Sequence, residues 1–265
     1  MAHIISLCNQ KGGVGKTTTA VNISAYLAAF GKRVLLVDLD PQGNASSAFV
    51  KDKNQLGKTV YDALVHGDDP FDVVKKTRFS NIDILPANSS LAGATIELVG
   101  KKNREFLLDE LLKKVKKRYD YIIIDLPPSL GLFMINALAA SDRVIVPIQC
   151  EYYALEGLAE LLRTMGLVKK NLKVKNQIMG ALLTMYDKTS PLNRAVSKEI
   201  HRNFPGYVFQ AVIPRNIKLA EAPSFGMSVL HHSPYSHGAK AYRKLTEEII
   251  EILEGHLVKK PALTA

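Results

Sequence analysis

The sequence predicts an α/β fold: a doubly wound, mostly parallel sheet with helices on both faces. Short apolar runs rich in β-branched residues recur along the chain, and segments long enough for a helix separate most of them. The runs also show little polar alternation, as expected of strands covered on both sides. They are HIISLCN (3–9), RVLLVDL (33–39), NIDILPA (81–87), YDYIIIDLP (119–127), RVIVPIQ (143–149), QIMGALLTM (177–185) and YVFQAVIP (207–214). Their β-α-β order favours parallel neighbours joined by crossovers. The stretch 51–80 mixes charge with Gly57, Gly67 and Pro70, so it reads as loops and short helices rather than sheet. No Pro/Ser-rich linker, repeat or low-complexity tract divides the chain. Residues 1–258 are therefore expected to form one domain and 259–265 a short flexible tail.

Composition narrows the class. The chain is 47% hydrophobic and 23% charged, which excludes disordered and fibrous chains. Cys8 and Cys150 both sit in apolar runs and are too few for a disulfide framework or a zinc site, so they read as inert core thiols. The N-terminus lacks a basic, then apolar leader, and no apolar run reaches the ~18–20 residues that span a bilayer, so a cytoplasmic location is expected. The 35 Lys plus Arg exceed the 25 Asp plus Glu by ten, a surplus that suits a polyanionic partner.

Directly after the first run comes NQKGGVGKTTTAVNISAYLAAFG, residues 9–31. Gly12, Gly13 and Gly15 let the backbone turn tightly and aim N–H groups inward, and a helix starting near Lys16 adds the positive end of its dipole. Residues Lys11, Gly12, Gly13, Val14, Gly15, Lys16, Thr17 and Thr18 thus form a candidate phosphate cradle. Lys16 is placed to reach β- and γ-phosphate oxygens, and the Thr17 hydroxyl to ligate the Mg²⁺ that accompanies a nucleotide triphosphate. Gln10 stands where the strict G-x-x-x-x-G-K-[ST] pattern has its first Gly. The loop instead resembles the deviant Walker A form, K-G-G-x-G-K-[ST], whose additional lysine is Lys11.

Acidic residues follow the apolar runs, at the strand ends where such sheets bind ligands. Asp125 closes YIIID, the Walker B pattern, and is expected to hold Mg²⁺ through a water. Asp38 and Asp40 end VDLDP, and their spacing puts both on one face if the strand continues that far. Pro214 and Asn216, with Met185, are candidates for the adenine side of the site.

The segment SPLNRAVSKEIHRNF (190–204) reads as a helix capped by Ser190 with Pro191 at its first position. Leu192, Val196, Ile200 and Phe204 should face the core, while Arg194, Lys198 and Arg202 repeat on the opposite side. Lys188 precedes this helix, and Arg215 and Lys218 follow the last run. Without interleaved aromatic residues or a recognition helix, these cations suit sequence-independent phosphate contacts. Ordinary solvation of a helix face is the alternative. Lys240, Arg243 and Lys244 open the last helix against the dipole preference, whereas KKVKKR (113–118) ends a helix, where cations are favoured.

Together with the loop, RVLLVDLDPQGNAS, DYIIIDLPPS, QCEYYALEGL and VIPRNIKLAEAPSFG resemble the blocks of the ParA/Soj partition ATPases, from Ala2 to about Glu254. The resemblance implies a P-loop NTPase fold of deviant Walker A type and a slow, partner-stimulated ATP hydrolase. It assigns Asp40 to orienting the attacking water and Asp38 to the outer metal shell. It makes Lys11 the lysine that crosses an ATP-sandwich homodimer to the other subunit's phosphates, and Gly12 the glycine kept small where the two loops meet. Glu151 is then either a partner of Lys11 or a helix N-terminal acid. Arg215 matches an arginine implicated in DNA binding. The implied partners are a second copy of the chain, non-specific double-stranded DNA and a ParB-type DNA-bound activator, with nucleoid-associated action and no membrane expected. Two other readings remain: a MinD-like membrane-positioning ATPase, and a nucleotide-gated DNA-binding regulator with little turnover. The first needs a basic amphipathic C-terminal helix, yet Leu245, Ile249, Ile252 and Leu253 are there accompanied by Glu247, Glu248, Glu251 and Glu254.

Overall fold

Six strands run parallel in one sheet: β1 (His3–Leu7), β2 (Val34–Asp38), β4 (Ile82–Leu85), β5 (Tyr121–Asp125), β6 (Arg143–Gln149) and β7 (Gln177–Thr184). A two-residue strand, β3 (Lys75–Lys76), pairs antiparallel with β4 at the edge, and the order is β3-β4-β2-β5-β1-β6-β7. The computed structural model describes residues 2–50, 56–152 and 154–255, so the segment expected as a tail, 259–265, lies outside the described residues.

Alternation along each strand feeds two apolar layers. Ile4, Leu35, Ile122 and Val144 point to one face, toward α5 (Leu107–Val115), α6 (Leu132–Ala140), α7 (Ala154–Leu172) and α8 (Pro191–Asn203). Ile5, Leu36, Tyr121 and Ile145 point to the other, toward α1 (Lys16–Ala29) and α11 (His237–Glu254). Both faces are covered, which is why the strand runs show no polar register. The shorter helices α2 (Asn44–Ser47), α3 (Pro70–Val73), α4 (Leu91–Glu97), α9 (Ile217–Glu221) and α10 (Val229–His232) fill the connections.

Three expectations are corrected. The run 207–214 forms no ladder strand; it pairs through two isolated bridges, Ala181 of β7 to Val208 and Tyr186 past the end of β7 to Pro214, with the Ile213 N–H also donating to the Leu183 carbonyl at 2.9 Å. Between them the Gln210 and Ala211 N–H groups donate to the Glu248 carboxylate of α11, at 2.8 and 3.0 Å, instead of to a strand. Replacing Glu248 with Ala removes the acceptor of the part-buried Ala211 amide and leaves the exposed Gln210 amide to water, so it should cost about 1–2 kcal/mol in urea unfolding, and an unchanged midpoint would refute this account. Second, β3 adds sheet within 51–80; a strand of two lysines carries no apolar signal. Third, Leu192 is 47% exposed whereas Val196, Ile200 and Phe204 are buried. The first turn of α8 is tied instead by Asn193, which donates to the Cys150 carbonyl and accepts from the Asp187 N–H. The Ser190 cap forms as expected, its hydroxyl accepting from the Asn193 N–H at 3.3 Å.

Candidate functional site

The site sits where β1, β2, β5 and β7 end. Leaving β1, the chain passes through Gly13 (φ +74°) and Gly15 (φ +90°), left-handed conformations that favour glycine, and enters α1 at Lys16. No side chain caps α1 and no acid occupies its first turn, so its leading amides and dipole are available to an anion. Val14 is buried, and its carbonyl accepts from the Thr184 hydroxyl at the end of β7, 2.9 Å away. Asn9 braces the loop from the other side, accepting from the Lys11 N–H and donating to the Pro147 carbonyl at 2.9 and 2.7 Å.

Lys16 is 6% exposed and donates to the Lys11 carbonyl at 3.1 Å. Burial pulls its pKa down, and the carboxylates of Asp125 and Asp40 oppose that pull. The half-buried Thr17 lies close enough to Asp125 for its hydroxyl to favour the ionised carboxylate. Thr18 is also half-buried, and its carbonyl accepts from Asn22 at 2.7 Å.

Strand register sets the acids. In the β2–β5 ladder Asp38 is the partner of Asp125, so two buried carboxylates lie on one rung. Their uses differ. Asp38 accepts from the Asp40 N–H at 3.0 Å, the Ser46 N–H at 2.8 Å and the Ser46 hydroxyl at 2.7 Å. Ser46 in turn accepts from the Ala87 N–H at 2.9 Å, so Asp38 cross-links the ends of β2 and β4 with α2. Burial raises the Asp38 pKa, and the Ser46 hydrogen bonds oppose the rise. Asp125 has no hydrogen-bond partner within normal range on either oxygen among the described residues. Burial first, then the charge of Asp38, raises its pKa.

A buried, unpartnered carboxylate beside a threonine hydroxyl is a hard-oxygen donor set that fits Mg²⁺. Among the described residues no cluster of three or more His, Cys, Asp or Glu could hold a metal alone. That agrees with an ion bound by one or two protein oxygens plus substrate phosphates. β2 stops at Asp38, so Asp40 does not share its face by strand alternation. Asp40 occupies the following turn, 7% exposed, accepting from the Gln42 N–H at 2.9 Å.

Lys11 pairs with Glu151 of its own chain at 2.7 Å, with the two side chains 41% and 44% exposed. Of the residues expected on the adenine side, Pro214 bridges to Tyr186 and Asn216 caps α9, accepting from the Lys218 N–H at 3.1 Å. Met185 adopts φ +48° between them and the loop-bracing Thr184. Thr184 and Ser46 were missed in the sequence. Thr184 acts on a carbonyl 170 positions away, which no local pattern signals.

The expected DNA-contacting cations divide into two groups. The Tyr186–Pro214 bridge brings the exposed Lys188 and Arg215 out of the sheet on neighbouring segments. Lys198 and Arg202 are exposed along α8 and, like Arg215, have no acid partner among the described residues. Arg194 is instead turned back onto the Lys188 and Thr189 carbonyls at 2.9 and 3.1 Å, and Lys218 pairs with Glu221 at 2.8 Å. Both cysteines are free and buried, and burial pushes the Cys150 thiol up to about 11.

A family profile described as an AAA domain matches residues 2–179. The sporulation initiation inhibitor protein Soj of Bacillus subtilis (strain 168) is 53% identical over 249 residues, which is 94% of this chain and 98% of that protein. The chromosome partitioning protein ParA of Myxococcus xanthus (strain DK1622) is 44% identical over 251 residues, covering 95% and 89%. Among solved structures, the cobyrinic acid a,c-diamide synthase of Mycobacterium smegmatis with bound ADP and magnesium superposes with a TM-score of 0.84 at 34% identity, over 100% of both chains. With nearly its whole length shared with Soj and ParA proteins, the chain belongs to the ParA/Soj family of partitioning ATPases.

Proposed function

We propose that this protein hydrolyses ATP with Mg²⁺, closes into an ATP-sandwich dimer, binds double-stranded DNA without reading sequence, and is released when a ParB-type partner stimulates hydrolysis. Chromosome or plasmid partitioning at the nucleoid is the resulting role. The observation that carries the reading is the unpartnered Asp125 carboxylate set beside Thr17 and Lys16 at the mouth of an uncapped loop. Thr17 and Asp125 would hold Mg²⁺, which neutralises charge on the phosphate oxygens. Lys16 and the loop amides stabilise the charge of the transferring group. Asp38 fixes the backbone of Asp40 through its 3.0 Å hydrogen bond, and Asp40 orients the water. Pro214 and Asn216 flank the base.

Lys11 must leave Glu151 to reach a second copy's phosphates. Half-exposed ion pairs contribute only about 0–1 kcal/mol, so this pair parks the lysine without locking it. A Cβ at Gly12 would meet nothing nearer than Pro128 Cβ at 3.9 Å, so one chain alone tolerates a side chain there. Gly12→Val should therefore fold and bind ATP yet remain monomeric by light scattering; ATP-dependent dimers of this variant would contradict the sandwich.

For DNA, a titration with ATP, ADP and no nucleotide across salt tests the whole reading. Binding should require ATP, ignore sequence and weaken steeply with salt. Changing Lys198, Arg202 and Arg215 to Gln should lower the salt slope by up to about 2.7 while dimerisation survives. Binding that is independent of nucleotide would leave the reading without support.

The MinD-like alternative fares worse because Leu245 and Ile249 are fully buried against α1. Glu248 and Glu254 are committed to hydrogen bonds within the fold. No helix among the described residues is long and apolar enough to cross a membrane. A regulator without turnover leaves Asp40 unexplained.

A further inference from the structure

Away from the phosphate loop, a cavity of about 850 Å³ lies between the C-terminal half of α1, the turn before β4 and the start of α11. Its floor is small and apolar, formed by Ala25, Ala28 and Ala29 with Leu230. Rings stand on its walls. Phe79 and His231 stack with centroids 3.9 Å apart, and Tyr235 is 76% exposed. Arg78, Lys240 and Arg243 line it, and no Asp or Glu does among the described residues. Arg243 is partly neutralised by Glu247 at 2.9 Å, whereas Lys240 is exposed and has no acid partner among the described residues.

This placement bears on a charge pattern that the partitioning role leaves unused and that the helix dipole does not favour. Lys240 ends the first turn of α11, which holds no acid, so it faces the unfavourable end of the helix dipole, and Arg243 and Lys244 follow in the second turn. An anionic occupant would turn that arrangement into a favourable one. We propose that this groove docks an acidic peptide segment of a partner protein, with an apolar side chain on the alanine floor and carboxylates against Lys240, Arg243 and Arg78. A cationic rim over an apolar floor complements such a peptide in both charge and hydrophobicity. Single-stranded nucleic acid fits less well. It needs open ring faces for successive bases, and Phe79 and His231 already cover each other. The groove lies roughly 15 Å along α1 from Lys16, given about 1.5 Å of rise per residue, so its occupant does not compete with nucleotide.

Two pools of short synthetic peptides test this with the full-length protein. One pool carries Asp and Glu among random residues; the other carries Lys at the same positions. Binders should be enriched from the acidic pool, and Lys240→Glu should weaken them more than about tenfold by fluorescence anisotropy. That variant should stay folded, because a carboxylate at a helix start is favoured by the dipole. Tyr235→Ala should weaken the same peptides without any change of charge, and ATP-dependent DNA binding should be unaffected in both variants. The proposal is overturned if neither pool is enriched, if the lysine pool is enriched equally, or if Lys240→Glu leaves the peptides bound. It is also overturned if the two variants lose DNA binding and no acidic peptide competes, which would assign the patch to nucleic acid.

Discussion

Lys16→Ala should lose nucleotide binding, with ATP affinity falling by a factor of at least about 100 by isothermal titration calorimetry. Lys16 is the buried cation inside the loop, and charge-assisted hydrogen bonds contribute about 1.5–3 kcal/mol each. Two such bonds to β- and γ-phosphate oxygens account for the loss. A second effect acts in the same direction. Without the Lys16 charge, one of the groups that favour the ionised form of Asp125 is gone, so the carboxylate becomes a poorer metal ligand. Stability separates this from misfolding, because the variant also sheds the burial penalty that depresses the lysine's pKa. The nucleotide-free protein should therefore melt no lower than the parent. An ATP affinity within tenfold of the parent would refute the assignment.

Asp40→Ala should give the opposite pattern: ATP still bound within a few-fold, hydrolysis reduced by about 10²–10⁴, and dimer accumulating in size-exclusion light scattering. Asp40 lies two residues beyond β2 and makes no hydrogen bond to the loop among the described residues; its charge acts on Lys16 only after that of Asp125, so the phosphate cradle is largely kept. Its side chain does accept from the Gln42 N–H, which makes Asp40→Asn the better control because the acceptor oxygen is kept. Both variants should trap ATP-bound dimer if the carboxylate aims the water. An Asp40→Ala protein that remains monomeric at saturating ATP would remove the sandwich from the account.

The loop, its lysines and Asp125 were legible because each is encoded within a few residues. KGGVGKT after an apolar run sets a strand, a turn and a helix start, and YIIID ends a buried strand in a carboxylate. Local sequence was misleading where a distant side chain took over backbone hydrogen bonds. The run 207–214 has the composition of a strand, but Glu248, 38 residues after Gln210 in the chain, accepts two of its N–H groups. The cations on α8 show the same divide. Their spacing predicted an exposed stripe, whereas only the folded chain reveals that Arg194 turns back onto the Lys188 carbonyl while Arg202 stays free of acid partners among the described residues.

Sequence alone determined the layered α/β class, the glycine-rich turn into α1 and the carboxylate that ends β5, because periodicity, glycine placement and strand-end charge are properties of neighbouring residues. Tertiary structure decided which chemistry each acid is left free to perform. The β2–β5 register brings Asp38 and Asp125 onto one rung, Ser46 then occupies Asp38, and Asp125 is left buried without a partner. The reason is physical: a carboxylate's availability depends on which donors the fold brings within hydrogen-bond distance, and those donors come from segments that are distant in sequence.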